Sequence, residues 1–173
     1  GLRTPDSPII PVSPLGRIPL LEDGDLALSE ARHICAYLDE KSGKRTVSVY
    51  GDWPAVAAEA QSLAFLDVVT VWSREMRRKD KERSAFMLEV ADIQVRRGLV
   101  HLDATVKAPA DAPPITFDAL CIVAALGMIQ FYELAPDWRE TYPNLAAWSD
   151  AYDTVAAIAE STPSQDALRP LTR

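Results

Sequence analysis

The sequence predicts an α+β chain in two parts: a β-hairpin with one helix, then an all-helical bundle. Three observations predict it. An acidic turn, Asp23-Gly24, separates two short apolar runs near the start. Beyond residue 52, apolar residues recur at helical rather than alternating spacing. The run from Ala119 to Tyr132 carries no charge, as expected of a central helix buried on every side. With 173 residues, the chain is long enough for one good core, or for a small domain packed on a larger one.

Each element has a local reason. Prolines at positions 5, 8, 11 and 14 predict an extended, irregular start with no helix. Residues 17–22 read as a strand that contains Pro19, and residues 26–28 as the returning strand. Ser29 is the candidate N-cap of the first helix, with Glu30 in its first turn. Ile34, Tyr37 and Leu38 form that helix's apolar stripe, and Gly43 ends it. The polar stretch "KSGKRTVSVYG" follows. The expected division is therefore a domain over residues 1–41, a linker over 42–52 and a helical domain over 53–173.

In the helical part, Asp52 and Pro54 start a long helix with Val56, Leu63, Leu66, Val69 and Met76 on one stripe. A second runs from about residue 84 to 106, with Ile93, Val100 and Leu102 facing inward. Gly98 inside it costs about 1 kcal/mol against Ala, unless close packing requires it. "KAPADAPP" breaks the chain before the helix over residues 117–132, which is apolar on nearly every side. Two shorter helices, over residues 143–152 and 155–161, complete the bundle.

Charge and composition exclude several functions. The net charge is −7 and the pI near 4.8, so a phosphate backbone would be repelled and no nucleic-acid partner is expected. The basic cluster "RRKDKER" interleaves acids and reads as a solvated helix end. The uncharged run is too short to span a bilayer, and no secretory signal opens the chain; no membrane association is expected. Cys35 and Cys121 sit in apolar helical runs, which suits buried free thiols in a reducing cytoplasm. His33 and His101 belong to no set with ligand spacing, so no metal is expected.

The motifs "SPLGRIPLL", "DGDLALSEARHICAYL" and "FDALCIVAALGMIQF…DWRETYPNLAAW", in that order, resemble the glutathione transferase superfamily, bacterial members in particular. The resemblance covers most of the chain. It implies a partial thioredoxin-like N-terminal domain, a transferase-type helical bundle, and glutathione as co-substrate. Pro19 matches the family's cis-proline, whose preceding residue, here Ile18, turns its backbone toward the cysteinyl part of glutathione; Arg17 stands beside it. Glu30 matches the acid that meets the ligand's α-amino group, and the N–H of residue 31 would hold the γ-glutamyl carboxylate. The usual serine there is Ala31. Losing a hydrogen bond to a charged group, roughly 1.5–3 kcal/mol, lowers the expected affinity by about tenfold or more. Asp118 resembles the structural cap of the buried helix, although Ile115 stands where the family has Ser or Thr. Trp138, Tyr142 and Trp148 read as core.

The resemblance also implies that the first strand-helix-strand, with the catalytic Tyr, Ser or Cys, lies before residue 1, so no catalytic residue is assigned. The expected function is a glutathione transferase acting on a small hydrophobic electrophile. Val71, Trp72, Met76 and Tyr132 are candidates for lining its pocket, with core packing the alternative for each. The other reading is a non-catalytic binding or assembly module on the same scaffold. A cytoplasmic homodimer is implied in either case.

Overall fold

Strands Leu20–Asp23 (β1) and Leu26–Ser29 (β2) pair antiparallel as a two-stranded sheet. They join through the two residues Gly24 and Asp25, with a positive φ (59°) at Gly24 only, the residue choice of a II′-type hairpin turn. The structure is a computed structural model that describes residue 4 and residues 6–107 and 113–163. Its contacts divide the chain into two units, Gly1–Val56 and Ala57–Arg173.

In the first unit, helix α1 (Ala31–Ser42) packs on both strands and ends at Gly43 in the left-handed conformation. Three expectations are corrected here. β1 begins at Leu20 rather than residue 17, because Pro19 has no N–H to donate to a ladder. Ser29 is the last ladder residue, opposite Leu20, so the N-cap position falls to Glu30. The proline-rich start is wound into successive turns, with the N–H of Ile10 on the Ser7 carbonyl and that of Ser13 on the Ile9 carbonyl. The stripe on α1 is half-buried at Ile34 and Tyr37 and exposed at Leu38.

The second unit is helical among the described residues. Its elements are α2 (Trp53–Met76, whose first turn lies in the first unit), α3 (Ala85–Thr105), α4 (Phe117–Phe131), α5 (Trp138–Thr141), α6 (Pro143–Asp153) and α7 (Ala156–Ser161). The turn α5 was not foreseen. α2 is long and apolar enough to cross a membrane by length and composition, yet its Phe65, Val69 and Trp72 are buried in the core. That core continues through Val95, Leu99, Ile122, Leu126, Ile129 and Leu145. Trp138, Tyr142 and Trp148 belong to it as expected.

The inward faces differ from the expected ones. On α3 the buried residues are Ala91, Val95, Leu99 and Leu102, while Ile93 and Val100 are exposed. On α2, Val69 is buried and Leu66 and Met76 pack against the core as expected. Val56 and Leu63 are only half-buried, and Ser62, Phe65 and Ser73 are buried as well. Both helices carry apolar residues on two sides, so spacing alone did not select the face. α4 is not buried all round: Ala124, Gly127 and Gln130 form an exposed strip. α4 ends in a Schellman arrangement, the Leu134 N–H on the Ile129 carbonyl (3.0 Å) and the Glu133 N–H on the Gln130 carbonyl (3.2 Å). Glu133 therefore takes a positive φ of 51°.

Gly98 settles as a close-packing site: a Cβ built there lies 2.6 Å from Phe65 Cε2. The helix-propensity gain of Gly98→Ala, about 1 kcal/mol, is therefore outweighed by overpacking of about 1–3 kcal/mol. Denaturant titration should show Gly98→Ala destabilised, and neutral or stabilising when combined with Phe65→Leu. Equal effects in the two backgrounds would refute the contact.

Candidate functional site

The ladder pairs Leu20 with Ser29, Leu21 with Leu28, Glu22 with Ala27 and Asp23 with Leu26. Carried one step further, that register sets Pro19 across from Glu30. The end of the hairpin away from its turn thus brings together the residue before a strand and the residue opening a helix. The Ile18–Pro19 peptide bond is cis, as the resemblance implied. Ile18 is 60% exposed, and among the described residues neither its N–H nor its carbonyl makes a hydrogen bond.

The peptide before Ile18 is held by buried Ser13. Its hydroxyl accepts from the Arg17 N–H (3.2 Å) and donates to the Arg17 carbonyl (3.1 Å). Gly16, at φ 59°, donates its N–H to the Ser13 carbonyl (2.7 Å). The sequence alone assigned Ser13 no role. The Pro and Gly within "SPLG" were the turn signal that could have found it.

At the helix start, Glu30 has φ 71° and ψ 120°, and its side chain makes no capping bond. A residue with a Cβ seldom adopts a positive φ, and such conformations cost of order 1–3 kcal/mol. The Glu30 carbonyl accepts from His33 (3.0 Å) and Ile34 (3.1 Å). The exposed Ala31 N–H has no acceptor among the described residues. It points out of the positive end of α1, where an anion is stabilised. Side chain 31 is a methyl group, so only the backbone donates there.

Charged groups tie the hairpin and the following chain to α1. Asp23 at the turn accepts from Tyr37 (2.8 Å) and pairs with Lys41. The Lys41 bond, and then that of Tyr37, holds the Asp23 carboxyl below its usual range, and Asp23 raises Lys41 in return. Asp39 accepts the N–H groups of Thr46 (2.6 Å) and Val47 (2.8 Å). Burial opposes its charge, but the Val47 and Thr46 bonds outweigh that and lower its pKa. The Arg32 guanidinium donates to the Ser48 carbonyl (2.9 Å) and lies over the Tyr50 ring. Residues 42–52, read as a linker, are thus fastened to α1 and fall within the first unit.

The remaining candidates lie in the second unit. Trp72 is buried in the core, and its neighbour Val71 is exposed. Met76 and Tyr132 are half-buried against the core. Arg77, next to Met76, lies 5.5 Å over the Tyr132 ring, so the C-terminal ends of α2 and α4 meet there. Asp118 stands in the first turn of α4, behind Thr116 at the N-cap, whose side chain makes no capping bond. Among the described residues, none donates a hydrogen bond to the Asp118 carboxylate, so it favours the helix start by charge alone. A cap unforeseen in the sequence is Asp103, which accepts the Leu145 N–H (2.9 Å) at the start of α6. Those two residues lie 42 apart, beyond any local signal. No group of three or more His, Cys, Asp or Glu side chains is placed to hold a metal among the described residues.

Because the Asp39 pKa falls on folding, its bonds stabilise the fold above the unfolded value near 3.8 and fade as pH drops through the lower folded value. Amide exchange, corrected for intrinsic rate, should show Thr46 and Val47 protected at neutral pH and exposed at acid pH. Asp39→Ala should expose them at neutral pH. Equal protection in that variant would contradict the role.

A family model described as the N-terminal domain of glutathione S-transferase matches residues 3–46. No curated protein matches the chain significantly. Among solved structures, a glutathione S-transferase from Methylobacillus flagellatus KT with GSH bound superposes with TM-score 0.80 at 24% identity, over 95% of this chain and 84% of that one. A glutathione transferase family member from Pseudomonas fluorescens Pf-5 with bound glutathione gives TM-score 0.76 at 25% identity, over 93% and 82%. A third, from Methylobacterium radiotolerans JCM 2831 in complex with glutathione sulfonate, gives 0.78 at 20% identity, over 100% and 83%. The expected architecture, a thioredoxin-like N-terminal domain and a helical C-terminal domain, fits these matches. Residues 3–46 thus match the N-terminal domain of glutathione S-transferases, and the fold over most of the chain is similar to that of solved glutathione transferases.

Proposed function

We propose that the first unit binds glutathione at the open end of its hairpin. The observation that carries this reading is the ladder register, which sets the unpaired backbone of Ile18 across from the start of α1. An extended peptide adds to such a backbone as a strand would, so Ile18 receives the cysteinyl unit. The γ-glutamyl carboxylate takes the Ala31 N–H, and its ammonium takes the Glu30 carboxylate. Arg17 adds positive charge for an anionic tripeptide, and Pro19 shapes the approach. Solved relatives carrying glutathione support the ligand's identity.

In a transferase the bound thiol must ionise and attack an electrophile. A small hydrophobic electrophile is the co-substrate this implies. Val71, Met76 and Tyr132 offer apolar surface in the helical unit, with Trp72 contributing from the core. The protein acts as a homodimer in this reading. Two observations favour the non-catalytic alternative. Position 31 lacks a hydroxyl, and the Ser13 hydroxyl is committed to Arg17. Glutathione-dependent conjugation of 1-chloro-2,4-dinitrobenzene separates the two: turnover supports the transferase, and binding without turnover supports the module.

Calorimetric titration should show saturable glutathione binding, weakened about tenfold or more in Glu30→Gln by loss of a charged hydrogen bond. Glu30→Gly should bind as poorly, yet unfold about 1 kcal/mol harder, since glycine relieves the positive φ. Absence of binding by the wild-type chain, or unchanged affinity in both variants, would overturn the assignment.

A further inference from the structure

The second unit holds a pocket of about 430 Å³ framed by α2, α3, α4 and α6, within the range of small-molecule sites. Its floor is apolar: Phe65, Leu102, Ile122, Trp148 and Tyr152. Gly98 opens the α3 side, carrying no Cβ where Phe65 comes close. The lining includes two formally charged groups of opposite sign, the Lys107 ammonium and the Asp118 carboxylate, with His101 also present. Tyr152 donates its hydroxyl to the Pro114 carbonyl (2.9 Å), so its proton is already used. The half-buried Asp118 carboxylate is left without a hydrogen-bond donor among the described residues.

We propose that this pocket is a binding site for a small neutral aromatic molecule that donates one hydrogen bond, such as a phenol, to Asp118. The aromatic floor accepts a flat apolar body, and burial of that body drives entry. A carboxylate ligand placed against Asp118 would meet a like charge there. A neutral O–H satisfies the unpaired carboxylate without adding charge, and a hydrogen bond to an ionised acceptor is the stronger kind. All the residues involved belong to the second unit, so the site does not depend on the glutathione reading.

The test uses the full chain, with 2-naphthol, naphthalene and 2-naphthoate as probes in saturation-transfer NMR and calorimetry. The wild type should bind 2-naphthol tightest. Asp118→Ala should weaken 2-naphthol about tenfold and leave naphthalene unchanged, with Asp118→Asn between. Ala58→Trp, on the exposed face of α2 and lining the pocket, should abolish binding of every probe without moving the melting temperature. It keeps the proposal testable if the Asp118 variants do not fold. Failure of 2-naphthol to bind, tighter binding of 2-naphthoate, equal losses of naphthol and naphthalene in the Asp118 variants, or full binding by Ala58→Trp would each overturn it.

Discussion

The first unit depends on one antiparallel pairing, Leu20 opposite Ser29. Side chains alternate faces along a strand, so a slip of one residue would turn every strand side chain to the opposite face. It would also separate Pro19 from Glu30. A lone two-stranded hairpin is marginal in water, and this one is secured at both ends. The positive-φ Gly24 fits the turn, and Tyr37 and Lys41 grip Asp23 beside it. At the other end the Ser13 hydroxyl clamps Arg17. The Glu30 backbone conformation lets the chain leave β2 and enter α1 with that single residue between them. Strain at that position falls on the residue proposed to meet the ligand's ammonium, a combination common where binding rather than stability sets the conformation.

The helical unit is built on different terms. Its inward faces mix large apolar side chains with small residues, among them Ser62, Ser73, Ala91 and Ala125, and Gly98 lies against the Phe65 ring. Small residues let helix axes approach, and two of them, Ser62 and Gly98, line the pocket that has Asp118 on its wall. Polar caps reach across long sequence separations, as Asp103 does to Leu145 and Tyr152 to Pro114. The core and these bonds together fix where α4 begins, and so where its first-turn acid stands.

Local chemistry made the hairpin, α1, the three longest helices and the buried Trp138 and Trp148 legible in the sequence. Turn residues, caps and breaks act over a few positions and can be read there. Which face of α2 or α3 turns inward could not be read, because both helices are apolar on more than one side; Val100 looked like core and is exposed, whereas Ser73 is buried. The one-residue error at Ser29 has the same origin: its hydroxyl suits a cap, but pairing with Leu20 claims its backbone first. Of the candidate site, Ile18, Pro19 and Glu30 were legible through the resemblance to a family. The Ser13 clamp and the fastening of residues 42–52 by Asp39 and Arg32 were not. The Asp39 and Arg32 bonds span 7 to 16 residues, too far for a turn motif and too irregular for a helical one.

The most direct test is nuclear Overhauser spectroscopy of the hairpin in the intact chain. Cross-strand contacts from Leu21 to Leu28 and from Pro19 to Glu30, with backbone couplings at Glu30 reporting a positive φ, are the result this account requires. Contacts displaced by one residue, or protons of Pro19 and Glu30 out of reach of each other, would contradict it.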